Sequence, residues 1–269
     1  MPETYAQLII VAELLMLLAG CVLLWRHGLS PDARRQAPAL ARWDLKAGDF
    51  LFFVWLVVCG GFLTQLAALP LLKMAARGDT ATLMLTGAAF HAGMLLGVIA
   101  FTFTRRNAAS PAPVVAPVRI LPASFATFAI ALPLITAASL LWQALLDALG
   151  MPAEPQDLIA LFAEAKSVPV LVMMIVVATL MAPVTEELVF RGGFFRYARF
   201  RLPRWLALTL PACLFAALHT NLASFAPLAL LGVIFSLAYE RTGRIAVPII
   251  AHGLFNLNTI ILILAGVGP

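Results

Sequence analysis

Long apolar runs, broken by short polar stretches, organise this chain from end to end. Eight can be marked, at roughly 6–25, 49–69, 81–103, 121–146, 168–189, 206–221, 225–240 and 245–265. Most approach the ~20 residues that a helix needs to cross a hydrocarbon core about 30 Å thick. Strong two-residue alternation is absent, which argues against a β-barrel. The pattern predicts an all-α, polytopic membrane protein with about eight transmembrane helices. The sixth and seventh runs are short and tightly connected, so they are expected to form a helical hairpin. Pro133 should bend the fourth helix, and Pro211 should bend or begin the sixth. In the third run Ala89, Gly93 and Gly97 recur every four positions, which suits close helix packing.

The polar positions between the runs set an orientation. Arg26, Arg34, Arg35, Arg42 and Lys46 follow the first run, and Arg105, Arg106 and Arg119 follow the third. Arg191, Arg196, Arg199, Arg201 and Arg204 follow the fifth, and Arg241 and Arg244 the seventh. Only Lys73, Arg77 and Lys166 of the 18 basic residues fall elsewhere. By the positive-inside rule these alternate loops are cytoplasmic and both termini lie outside. The opposite loops are poor in Lys and Arg, and one carries Asp147, Glu154, Asp157 and Glu164. Residues 150–167 read as an external loop leading into an amphipathic helix, and 105–120 as a cytoplasmic linker rich in Pro and Ala. The expected setting is the cell's cytoplasmic membrane, with the lipid bilayer as the surrounding partner.

Composition agrees: 62% of the 269 residues are apolar and 12% charged, against about a quarter charged in soluble domains. The net charge of +5 reflects membrane topology rather than nucleic-acid binding, because the arginines sit between hydrophobic runs. Cys21, Cys59 and Cys213 lie in apolar segments without a C-x-x-C pair, and read as buried thiols outside any disulfide framework or metal site. The stretch Leu18-Ala19-Gly20-Cys21 resembles a lipoprotein processing site. No Lys or Arg precedes it, however, and the apolar run continues through Leu24, so the segment reads as a first spanning helix.

Ionisable side chains inside spanning segments are rare and tend to be functional, and the last four runs hold several. In "EELVFR" (186–191), Glu187 and Arg191 are i,i+4 neighbours in the favourable order for an ion pair. Glu186 is rotated about 100° away and has no such partner. One acid is therefore expected to be held, and the other to be free to face a cavity and act as a general base. Arg191 is placed at the membrane edge, so the alternative is a set of interfacial charges. His219 lies in "FAALH", and His252 and Asn256 are i,i+4 neighbours in "HGLFN". An imidazole and an amide on one face could form an oxyanion hole, or serve as interhelical glue. Depths are only partly consistent. Glu186 lies about 7 Å from Arg191, His252 about 10 Å in from Arg244 and Asn256 about 6 Å deeper, but His219 is roughly 20 Å from Arg204. His219 would then match only if the sixth helix starts near Pro211 or is tilted. His27 and His91 are read as lying outside the site, His91 with a packing or supporting role.

These three stretches fit E-E-x-x-x-R, F-x-x-x-H and H-x-x-x-N in order and spacing. The chain thereby resembles the CPBP, or Abi, family of intramembrane proteases, which includes the type II CAAX prenyl endopeptidases. The resemblance covers about 165–265. It implies a C-terminal four-helix catalytic core, 161–269, behind about four N-terminal transmembrane helices, 1–160. It also implies an endopeptidase acting on a membrane-associated substrate, with a cavity open to the cytoplasm. Glu186 and His219 would activate water, His252 and Asn256 would stabilise the oxyanion, and Glu187 and Arg191 would support them.

Glu186, His219 and His252 could in principle bind zinc. No H-E-x-x-H helix is present, and if His252 serves the oxyanion only two ligands remain. A metal-independent, glutamate-dependent hydrolase is therefore expected, with zinc as the alternative. A transporter or proton relay built on the same groups, and a silent immunity scaffold, remain alternatives of a different class. Repeated halves with broken helices, which would favour a transporter, are not seen.

Overall fold

The computed structural model describes residues 3–75, 79–104, 118–151, 161–162 and 167–267. Helices account for the architecture: α1 Glu3–Leu24, a short α2 Pro31–Arg35, α3 Ala47–Ala75, α4 Asp79–Thr104, α5 Ile120–Ala148, α6 Val168–Arg199, α7 Arg204–Ala217, α8 Leu222–Thr242 and α9 Ala246–Ala265. Among the described residues no strand is present. Seven of these helices are long and apolar enough to cross a membrane. The protein is an all-α, polytopic membrane protein. The exception among the eight expected spans is α7, whose 14 residues extend only about 21 Å.

Large apolar side chains cover the outer surface, among them Leu14, Leu18, Leu51, Trp55, Leu96, Leu140, Leu141, Leu180 and Trp205. A bundle in lipid has no reason to hide such groups, because lipid tails are as apolar as leucine. The same reasoning corrects the expectation for the cysteines. Cys21 and Cys213 are exposed on the bundle exterior and Cys59 is half-buried.

Packing follows the small residues. Helices α3 and α4 form a close pair in which Gly60 meets Gly93 and Gly97 meets Leu56. A Cβ at Gly93 would fall 2.1 Å from the Gly60 carbonyl oxygen, and one at Gly97 2.4 Å from that of Leu56. Helix α5 packs against α1, α8 and α9, and α7 and α8 form the expected hairpin. Pro133 and Pro211 lie inside α5 and α7. Helix α7 therefore begins at Arg204 and not at Pro211. The 105–120 linker and the 150–167 loop fall largely outside the described residues.

One end of the bundle is locked by charge. The Glu240 carboxylate, near the C-terminus of α8, accepts hydrogen bonds from Arg199 of α6 and from Arg204 of α7, the latter at 2.7 Å. Beneath this tie Leu40, Phe195, Leu208 and Tyr239 pack into a buried layer. Together they join α6, α7 and α8 at the arginine-rich end of the bundle.

Candidate active site

Helix α6 is irregular where it matters. It runs as α-helix to Val176, widens into a π-turn over Val177–Met181, resumes at Ala182–Glu187, and widens again over Leu188–Phe195. Such bulges are frequent at functional sites. Pro183 gives a local cause for the first. It has no N–H, so it cannot donate to the carbonyl of Thr179, its α-helical partner, or of Ala178, its π-helical one. Helix α9 bonds one of these oxygens and lies close against the other. The Asn256 amide donates to the Ala178 carbonyl at 2.8 Å, and Gly253 lies directly over that of Thr179, where a Cβ would come within 2.5 Å. The glycine and asparagine of "HGLFN" thus register α9 against α6. Gly253→Ala should push α9 outward, at a cost of about 1–3 kcal/mol from overpacking. A lowered melting temperature in detergent checks this, and no change in melting would contradict it.

That register places His252 beside the two glutamates. Glu187 and Arg191 form the expected i,i+4 pair at 2.8 Å, and both are fully buried. Arg191 is therefore an interior residue, in contrast to the membrane-edge position expected from the sequence. Its guanidinium lies over the rings of Phe215 and Phe235, at 4.7 and 5.5 Å from their centroids. The pair has a third member that spacing alone did not reveal. His252 Nδ1 donates to the same Glu187 oxygen, Oε1, at 2.9 Å. Glu187 thus fixes the imidazole and turns its Nε2 toward Glu186, 3.8 Å from Oε2. The Glu186 side chain keeps 17% of its surface accessible where Glu187 keeps none. The division of the adjacent acids into one held and one facing a cavity is present in the structure.

The cavity that Glu186 faces has a volume of about 480 Å³, and His219, His252, Asn256 and His91 also line it. His219 sits in the turn after α7 and donates from Nδ1 to the Phe215 carbonyl at 2.8 Å, which leaves Nε2 available. The depth mismatch disappears once the buried Arg191 is replaced as the reference by the Arg199–Glu240–Arg204 tie. Glu186 lies roughly 20 Å along α6 from Arg199, and His219 roughly 22 Å beyond Arg204. Neither a late helix start nor a special tilt is required.

His91 is the residue the sequence reading left out of the site. It reaches the cavity from α4, outside the segment that carries the motifs. The Thr185 hydroxyl donates back to the carbonyls of Met181 and Ala182, at 3.0 Å each. Its oxygen therefore accepts from His91 Nδ1–H at 2.6 Å, and His91 Nε2 keeps its lone pair. The available signal was a histidine in the middle of an apolar helix, a rare position. His27 lies apart, at the arginine-rich end beside Arg241, as expected.

Among the described residues no three His, Cys, Asp or Glu side chains gather closely enough to hold a metal ion. Glu186, His219 and His252 share the cavity without forming a closed donor set around one point.

Residues 168–258, which span both bulges of α6 and all three motifs, match the family model of the Rce1-like type II CAAX prenyl endopeptidases. That stretch, about a third of the chain, is similar to the CPBP-like proteases. The chain is also 37% identical over 111 residues to the "Uncharacterized 24.3 kDa protein" of Escherichia coli, covering 39% of this chain and 50% of that one. It is 37% identical over 93 residues to the "UPF0177 protein YbdI" of Lactococcus lactis subsp. lactis (strain IL1403), covering 34% and 48%. It is 29% identical over 113 residues to the "Putative membrane peptidase YdiL" of Bacillus subtilis (strain 168), covering 42% and 45%. The chain thus spans about half the length of these curated relatives. No solved structure matches it.

Proposed function

We propose that the protein is an intramembrane endopeptidase of the cytoplasmic membrane that hydrolyses a peptide bond of a membrane-associated substrate, with Glu186 as the general base. The observation that carries this reading is the Arg191–Glu187–His252 chain, which orients an imidazole across 3.8 Å from a cavity-facing carboxylate. In this mechanism Glu186 takes a proton from a water held between it and His219, and the water oxygen attacks the peptide carbonyl carbon. His252 acts as imidazolium: Nδ1–H stays on Glu187, and Nε2–H donates to the oxyanion. Asn256 has one amide hydrogen committed to Ala178 and offers the other. Collapse breaks the C–N bond, and the proton held by Glu186 leaves with the amine. Residues 161–269 would form the catalytic core, and 1–160 would contribute His91 and the packing around it.

None of these steps involves zinc, which separates this reading from the zinc-dependent alternative. Purified protein in nanodiscs, incubated with a library of membrane-anchored peptides, should yield cleaved products by mass spectrometry. A strong chelator should leave the rate unchanged. Full inhibition that zinc reverses would establish the metal-dependent mechanism instead. Glu186-dependent solute flux in proteoliposomes, with no cleaved peptide, would favour the transporter.

A further inference from the structure

A second cavity lies apart from the glutamate site, at the arginine-rich end of the bundle. Helices α1 and α5 touch where Gly20 lies against Ala129 and Pro133. One turn further along α1, from Leu24 onward, α1, α5 and α8 border a space of about 540 Å³. That volume is within the range of small-molecule sites, about 300–1,000 Å³. We infer that this cavity binds one anionic phospholipid from the leaflet on the arginine-rich side, which the positive-inside rule makes cytoplasmic. Its phosphate would sit at Arg119 and Arg241, and one tail would lie between the three helices. This inference stands whether or not the protein is a protease.

The walls divide by chemistry. The deep part is apolar, lined by Leu24, Ala126, Ile130, Leu134, Ile234 and Leu237. From Arg119 to Leu134 it follows α5 for roughly 22 Å, more than half of a hydrocarbon core about 30 Å thick. That is the depth a lipid tail reaches from the boundary of its own leaflet. The rim is polar, with His27, Gln36, Arg119 and Arg241, and among the described residues no Asp or Glu lines the cavity. His27, Gln36, Arg119 and Pro122 are exposed, so the rim is open. Among the described residues neither arginine has a carboxylate partner. Glu240, beside Arg241 in the chain, is held instead by Arg199 and Arg204. The Arg241 guanidinium donates to the carbonyls of His27 and Ala33. These bonds fix it at the rim and leave further N–H groups for an acceptor. Two guanidiniums without an acid, above an apolar shaft, complement a phosphodiester carried on an acyl chain. Basic pockets between spanning helices on the cytoplasmic side suit anionic headgroups in this way. A choline headgroup brings its own cation, which the arginines repel.

Native mass spectrometry of the full chain, purified and delipidated in detergent, tests this with phosphatidylglycerol and phosphatidylcholine as probes. Phosphatidylglycerol should bind about tenfold or more tightly than phosphatidylcholine. Arg119→Ala should weaken phosphatidylglycerol binding about fivefold and leave phosphatidylcholine unchanged. Arg119 is exposed, so this variant should fold. Ala126→Trp, which fills the shaft, should weaken both lipids. Melting curves without lipid show whether each variant is folded, and Ala123→Leu narrows the same shaft with less bulk if the tryptophan is not accommodated. Equal affinity of the wild type for the two lipids overturns the inference. Full phosphatidylglycerol binding by folded Arg119→Ala, or by the folded shaft variant, overturns it as well. Glycerol 1-phosphate is the competitor in a separate arm and should not displace the lipid. Displacement at equal concentration would reveal a site for soluble phosphates and contradict the lipid assignment.

Discussion

Arg191→Met is expected to leave little folded protein. The substitution keeps most of the side-chain volume but removes the cation from a site with 1% exposure. The Glu187 carboxylate, 0% exposed, is left with His252 as its remaining partner. Breaking one side of a buried ion pair costs about 3–5 kcal/mol, a large fraction of a typical total stability of about 5–15 kcal/mol. The stacking of Arg191 on Phe215 and Phe235 is lost as well. Removing both charges is a different case, because replacing a buried pair by groups of similar volume is often neutral. Glu187→Gln combined with Arg191→Met should therefore recover much of the melting temperature lost by Arg191→Met alone. Cleavage should not recover with it, since the glutamine amide is a weaker partner for His252 Nδ1–H. Thermal denaturation and cleavage measured on the same preparations check both halves. A stable, active Arg191→Met protein would show that the pair holds neither the fold nor the imidazole.

Much of this site was legible because helical geometry is local. The 100° step between adjacent residues separates Glu186 from Glu187, and the four-residue step joins Glu187 to Arg191 and places His252 and Asn256 on one face. These relations hold for an α-helix through those positions, and the Glu187–Arg191 pair persists across the widened turn. The bond from His252 to Glu187 spans 65 residues, and no periodicity encodes it. The contribution of His91 depends on how α4 lies against α6. The depth of His219 was misjudged because Arg191 was treated as an interfacial charge. A guanidinium can be buried when a carboxylate and two aromatic rings receive it, and the ion pair expected from spacing already held that clue. Pro183 was the visible sign of the widened turn. Its consequence, two free carbonyls that meet Asn256 and Gly253, needed the position of α9. The eight apolar runs, and the shortness of the sixth, were clear from the hydrophobic pattern, yet the extension of the seventh run to a full 21-residue helix emerges only with its boundaries.

Glu186→Gln has the second large expected effect, and unlike Arg191→Met it should leave the fold intact. The side chain is partly accessible and its nearest charged partner is 3.8 Å away, so the amide replaces it with little loss of packing. General-base catalysis contributes about 10²–10⁴-fold in rate, and an uncharged amide cannot accept the water proton. The most direct measurement is the initial rate of peptide cleavage by purified wild-type and Glu186→Gln proteins in nanodiscs, with their melting curves recorded in parallel. A rate at least about a hundredfold lower, with an unchanged melting temperature, is the result expected if Glu186 is the base. Cleavage at the wild-type rate by a folded Glu186→Gln protein would contradict it.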